Sequence, residues 1–431
     1  MKPINILYLN SHDTGRYIQP HGHAVPTPRL ARLAGEGVLF TNAFCAAPTC
    51  SPSRAALLTG QWSHSCSKLG LSHRGFPLAH PERHLAKALR AAGYRTAVFG
   101  SHHEEADAAA IGYELVSAER RNRAADIVPP AVEFLRAAPG QPFFLAVGFG
   151  ETHRDFPEPG PEDDPRWCLP PPTVPSTPET RRDFAAFRTS ARMLDSGVGA
   201  VLDALERAGL AERTLVLMTT DHGIAFPGHK CTLTDGGIGV LLILRGPSGF
   251  SGGRALDGLV SQIDLFPTIC ELTGIEKPDW LQGRSVLPLV RGEAAEVNEE
   301  VFAEVTYHAA YEPMRAVRTR RWKYIRRFGG RTGPVLANVD DSPSKDVLLA
   351  AGWAGRPVAE EQLHDLIFDP QESRNLAAEL DSRPVLEEMR GRLDRWMRAT
   401  GDPLLAGPVP APVGAVANSP DALSPNEPTA D

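Results

Sequence analysis

A chain of 431 residues, 42% hydrophobic and 23% charged, is long enough for one large core and a smaller lobe, and only the extreme compositional classes are excluded. A net charge of -7 argues against a broad nucleic-acid footprint, although a local cationic pocket can still hold an anionic substrate. No apolar run approaches the roughly 20 residues that span a bilayer, the N-terminus lacks a signal-peptide pattern, and six cysteines without a CxxC pair form neither a zinc ribbon nor a disulfide framework, so the expectation is a soluble cytoplasmic protein without nucleic-acid or membrane partners.

Ile4 to Leu9 is a short apolar run between Pro3 and the polar cluster Asn10-Ser11-His12-Asp13-Thr14-Gly15, the pattern of a buried parallel strand ending in a loop. Open α/β sheets gather ligands at the carboxyl ends of their strands, which places His12 and Asp13 where a ligand would sit; an Asp-Thr-Gly turn with a capping Asp is the alternative for this stretch alone. Thr27 to Ala34 reads as a helix opened by Pro28, followed by the run Val38-Leu39-Phe40. In Ala47-Pro48-Thr49-Cys50-Ser51-Pro52-Ser53-Arg54-Ala55-Ala56-Leu57-Leu58-Thr59-Gly60, Pro52 and Ser53 suit the opening of a helix, so Cys50 lies at its positive end, which stabilises an anion.

His84 to Ala92 and Tyr94 to Gly100 repeat the helix–strand alternation of a doubly wound sheet and lead to Ser101-His102-His103. A helix over Asp126 to Ala137 and a strand over Pro142 to Phe149 deliver Glu151-Thr152-His153, and Pro157 to Pro178 reads as an ordered excursion over the active-site face. A long amphipathic helix runs from Arg181 to Ala208; the strand Thr214 to Thr220 then ends at Asp221-His222-Gly223, with Gly228 to Gly237 beyond it. Past about Leu405 the composition turns to Pro, Ala, Gly and Ser, too poor in apolar residues to pack, and predicts a disordered tail over 405–431.

The segment around Cys50 resembles the signature of the sulfatase family, Cys-x-Pro-Ser-Arg followed by Leu-Leu-Thr-Gly. Further resemblances are Gly100 and His103 in a Gly-Lys-x-His element whose Lys position holds Ser101, His153 in a Pro-His element whose Pro position holds Thr152, Asp221-His222-Gly223, and Lys230 in a Lys-x-Thr-Leu element. The match runs from Asn5 to about Leu404 and is best to the sulfamidase, or heparan N-sulfatase, branch, with Tyr311-Glu312-Pro313-Met314-Arg315 among its softer elements. The resemblance implies an alkaline-phosphatase-like α/β fold: a large, mostly parallel mixed sheet between helices over 1–295 and a smaller C-terminal α+β domain over 296–404.

It also implies the chemistry. Cys50 would be oxidised by a formylglycine-generating enzyme to formylglycine, with Arg54, His103, His153 and Lys230 as the other catalytic residues and a small anionic sulfated substrate. One divalent metal is implied at Asp13, Asp221, His222 and His12; calcium is the family default, while two imidazoles beside two carboxylates favour manganese or another transition ion. Glu304 and His308 are substrate contacts by position, with polar strand ends as the alternative. The function expected is hydrolysis of a sulfate ester or N-sulfate. A phosphonate or phosphate diester hydrolase on the same scaffold is the alternative, since phosphonate hydrolases share the Asp-His pair, and a retired anion-binding homologue is the second.

Overall fold

The computed structural model describes residues 3–117, 122–138 and 140–430. Among them, eight strands make one sheet: β1 (Asn5–Ser11), β2 (Val38–Phe40), β3 (Arg95–Gly100), β4 (Leu115–Val116), β5 (Phe143–Gly148), β6 (Thr214–Thr220), β7 (Leu242–Arg245) and β8 (Arg254–Leu256). Their order is β4-β3-β5-β1-β6-β7-β2-β8, parallel except that β7 runs against both of its neighbours. Because β3, β5, β1 and β6 are adjacent and parallel, the loops at their carboxyl ends open on one edge of the sheet.

Every residue of β1 is buried, as a strand covered on both faces requires. Leu7 and Leu9 point into a core with the helices α1 (Pro28–Glu36), α4 (Ala124–Arg136) and α5 (Pro178–Arg207), while Ile6 and Tyr8 face α2 (Cys50–Thr59) and α3 (Leu85–Ala91). Helix α5 starts at Pro178 rather than Arg181 because the Thr177 hydroxyl accepts from the Thr180 N–H and Pro178 fits the first turn. Helix α2 starts at Cys50 itself and ends at Gly60, whose φ of +67° and N–H bonded to the Ala56 carbonyl close it. A Cβ at Gly60 would come within 2.4 Å of Leu281 Cδ2 and displace that side chain, but the positive φ is what favours glycine at this stop.

A second sheet is antiparallel throughout: β9 (Glu300–Tyr307), β10 (Tyr311–Thr319), β11 (Trp322–Arg327) and β12 (Glu361–Asp365). Helix α6 (Arg383–Thr400) packs Leu386, Met389, Leu393 and Met397 against it, in one cluster with Ala56 of α2 and with Trp62 just beyond that helix. Among the described residues no helix is long and apolar enough to cross a membrane.

Over 405–430 the tail departs from its expected disorder, while Asp431 lies outside the described residues. Tyr307 donates its hydroxyl to the Val409 carbonyl at 2.8 Å, Asn418 is 3% exposed, and Ala422 is buried with Ala309, Ala310, Val335 and Ala337. Hydrogen bonds from distant side chains replace the apolar periodicity that the tail lacks. The Pro157 to Pro178 excursion also differs from expectation: Asp163 binds Arg188 and Arg192 of α5, and the excursion supplies no wall of the cavity described below.

Candidate active site

The four adjacent strand ends converge as their topology dictates. His12 and Asp13 follow β1, His103 follows β3, His153 follows β5, and Asp221 and His222 follow β6. Asp13 (φ +52°) and His103 (φ +61°) are both held in the left-handed region, a conformation that non-glycine residues adopt where surrounding structure imposes it and that clusters at functional sites. The Asp13 N–H donates to Asp221 Oδ1 at 2.9 Å and thereby ties the ends of β1 and β6 together.

Helix α2 brings Cys50 and Arg54 to this edge. All ten of its residues are buried, and Ser53 donates its hydroxyl to the Asp221 carbonyl at 2.5 Å. Arg54, 1% exposed, donates to Asp221 Oδ2 through Nε at 3.2 Å and Nη2 at 2.9 Å, while its buried Nη1 has no hydrogen-bond partner among the described residues. Burial alone would raise the Asp221 carboxyl, but His222, His12 and Arg54 outweigh it and hold the group well below the usual carboxylate range. Lys230 lies between two carboxylates, 2.9 Å from Asp13 Oδ2 and 3.0 Å from Asp340 Oδ2, and together they keep its ammonium charged despite burial.

His222 Nδ1 donates to the Gly223 carbonyl at 3.0 Å, which aims Nε2 at Asp13 Oδ1, 3.3 Å away, and at Cys50 Sγ, 3.5 Å away. A backbone carbonyl fixing one ring nitrogen is the usual support of an imidazole that ligates a metal through the other. Ligand atoms of His12, Asp13, Cys50 and Asp221 all lie within 4.8 Å of one another. The inner carboxylates Asp13, Asp221 and Asp340 also outnumber Arg54 and Lys230, the fixed cations that touch them. The donor set therefore fits a divalent ion of mixed oxygen and nitrogen preference.

A cavity of about 370 Å³ opens over this cluster, lined by Cys50, His103, His153, Lys230 and His308. His12 sits beneath two of these imidazoles, 3.3 Å from His103 Nδ1 and with its ring centroid 4.6 Å from that of His153. His308 is buried with Nδ1 unpartnered among the described residues, and burial beside Lys230 lowers its pKa to about 3, so it presents a neutral imidazole. Arg74, Arg154, Asp340, Asp341 and Asn426 also line the cavity. None of the five belongs to the motif elements quoted above for the resemblance, and only the fold brings them together.

Glu304 does not belong with them. It is 1% exposed, binds His64 Nδ1 at 2.9 Å, lies 3.3 Å from Arg315 Nη2 and lines no part of the cavity. Burial would raise its carboxyl, but His64 and Arg315 outweigh that and hold it below the usual range. Its contribution to stability is therefore present above the unfolded-state carboxyl pKa and lost as pH falls through the lower folded value. Glu304→Gln is expected to destabilise the protein by about 3–5 kcal/mol, as the breaking of a buried charge pair does. Denaturant unfolding will show this, whereas kcat of the folded fraction will stay near that of the parent.

The family model described as "Sulfatase" matches residues 4–275, and the one described as "N-sulphoglucosamine sulphohydrolase, C-terminal" matches residues 229–344. The chain is 31% identical to N-sulphoglucosamine sulphohydrolase of Homo sapiens, over 94% of this chain and 92% of that one. It is similar in fold (TM-score 0.71, 18% identity, covering 93% of this chain and 99% of the other) to a protein solved with its substrate D-glucosamine-2-N,6-O-disulfate. A phosphonate monoester hydrolase of Agrobacterium radiobacter shares the fold equally well, with a TM-score of 0.72 at 20% identity and coverage of 94% of this chain and 97% of that one.

Proposed function

Since this chain belongs to the sulfatase family, a family of sulfuric ester and sulfamide hydrolases, we propose that it removes sulfate from a sulfated amino sugar, N-sulfoglucosamine foremost. The carrying observation is that Cys50, His103, His153 and Lys230 line one cavity while Cys50 and Lys230 touch the Asp13, Asp221 and His222 cluster.

The residues divide the work by position. Asp13, Asp221, His222 and His12 would hold a divalent ion, manganese or another transition metal as well as calcium, which when bound draws electron density from the sulfate oxygens. Conversion of Cys50 to formylglycine by a formylglycine-generating enzyme would supply a hydrated aldehyde, one hydroxyl for attack on sulfur and a second for release of sulfate. Arg54 has its Nε and Nη2 committed to Asp221 and its Nη1 free to orient an oxygen at position 50. Lys230 and His103 present positive charge and a hydrogen bond to the anionic group. His153 donates through Nδ1 to the Arg154 carbonyl, which leaves Nε2 to carry a proton to the departing amine or alcohol. The neutral, unpartnered His308 is a contact for the sugar.

The test is a substrate panel run with protein co-expressed with the formylglycine-generating enzyme: N-sulfoglucosamine, glucosamine 6-O-sulfate, an aryl sulfate and an aryl phosphonate. The expected order of kcat/KM places both sugar sulfates above the phosphonate. A preference for the phosphonate would move the protein to the phosphonate-hydrolase reading that its fold and its Asp221-His222 pair also accommodate.

A further inference from the structure

We propose that residues 418–427 form the outer wall of the substrate pocket and restrict it to a sulfate carried on a single terminal sugar ring, with Asn426 bonding that ring. The proposal rests on the sulfatase reading above.

Pro425 and Asn426 line the same cavity as Cys50, and the segment that carries them is fastened at both ends of that wall. Arg74, itself a lining residue, donates through Nη1 to Asn418 Oδ1 at 2.8 Å and through Nη2 to the Pro425 carbonyl at 3.1 Å. Asn418 donates from its backbone to the Ala309 carbonyl at 2.7 Å and from Nδ2 to the Glu427 carbonyl at 2.7 Å, which closes the segment into a loop. Across that loop, Asp341 accepts from the Ser424 hydroxyl and from Asn426 Nδ2, the latter at 3.1 Å.

Packing supports the same placement. Ala422 is buried in a small cluster with Ala309 and Ala337. The chain approaching this loop crosses Gly75 (φ +86°), where a Cβ would fall 2.8 Å from the Gly414 carbonyl oxygen, so the tail lies directly on the backbone next to Arg74.

Arg74, Ala309, Asp341 and Asn426 are thus one hydrogen-bonded rim drawn from four distant parts of the chain. A cavity of about 370 Å³ is at the small end of ligand pockets and suits one ring rather than several sugars in a row. The rim's groups are amide, carboxylate and guanidinium, the set that bonds sugar hydroxyls, and no described residue donates to Asn426 Oδ1.

Two variants test the wall: Asn426→Ala, which leaves the Arg74 bonds to Ala309, Asn418 and Pro425 in place, and a chain ended after Asn418. Asn426→Ala is expected to lower the ratio of kcat/KM on N-sulfoglucosamine to that on 4-nitrophenyl sulfate by about threefold to tenfold, through KM, as loss of one hydrogen bond would. The shortened chain is expected to gain on an N-sulfated tetrasaccharide relative to the monosaccharide. Parallel loss on sugar and aryl sulfate, or no change in either ratio, would overturn the proposal by making the tail a structural strap alone. If the parent protein, with residue 50 verified as converted, releases sulfate from none of these substrates, the sulfatase reading itself fails and takes the proposal with it.

Discussion

Asp221→Asn is expected to reduce kcat/KM by more than the roughly 100-fold that follows loss of a supporting partner around a metal, and to destabilise the fold as well. The carboxylate accepts two bonds from Arg54, one from the Asp13 N–H at 2.9 Å and one from the His222 N–H at 3.0 Å. An amide of the same size keeps the packing but leaves the Arg54 guanidinium, 1% exposed, without its counter-charge. Breaking a buried pair of this kind costs about 3–5 kcal/mol. Metal content measured on the purified variant separates the two effects: the ion is lost or weakened, and added metal restores stability only in part because the Arg54 charge remains unpaired.

Lys230→Met is the second large effect. Its ammonium separates Asp13 from Asp340, and without it a buried and a half-buried carboxylate are left without their shared counter-charge. The expected loss in kcat is about 10²–10³-fold, the scale for removing one donor aimed at developing charge. Metal should still bind, since the donors Asp13, Asp221 and His222 are untouched. Lys230→Arg is expected to recover stability more than rate, because a planar fork does not reproduce a compact ammonium between two carboxylates. Thermal unfolding and kcat on N-sulfoglucosamine, measured side by side, check both halves; equal recovery of the two would mean that Lys230 acts only as a structural counter-ion.

What could be read from the sequence follows from what is local. β1, β5 and β6 are short apolar runs ending in polar clusters, so both the strands and the placement of Asp13, His153 and Asp221 at their carboxyl ends were legible. The helix carrying Cys50 was legible from Pro52 and Ser53, although its first residue is Cys50 itself.

Illegible features depend on contacts between distant residues. Glu304 stands on β9 near His308, yet the side chain that meets the cavity is His308, while Glu304 turns to His64 and Arg315; proximity along the chain could not separate them. Arg74 and Asp341 order a Pro-rich tail that has no periodicity of its own, and nothing in the composition of 405–431 records a partner more than 300 residues upstream, as Arg74 is of Asn418. Asp340 enters the site through a contact distant in sequence, the ion pair with Lys230.

The most direct measurement is the dependence of sulfate release on the state of residue 50. Samples of the same protein, expressed with graded amounts of the formylglycine-generating enzyme, are assayed for sulfate released from N-sulfoglucosamine, and the fraction converted at position 50 is read by peptide mass spectrometry. Turnover is predicted to rise in proportion to the converted fraction and to vanish where position 50 remains the buried thiol of Cys50. Turnover that does not depend on the converted fraction would contradict the assignment of Cys50 as the precursor of the nucleophile.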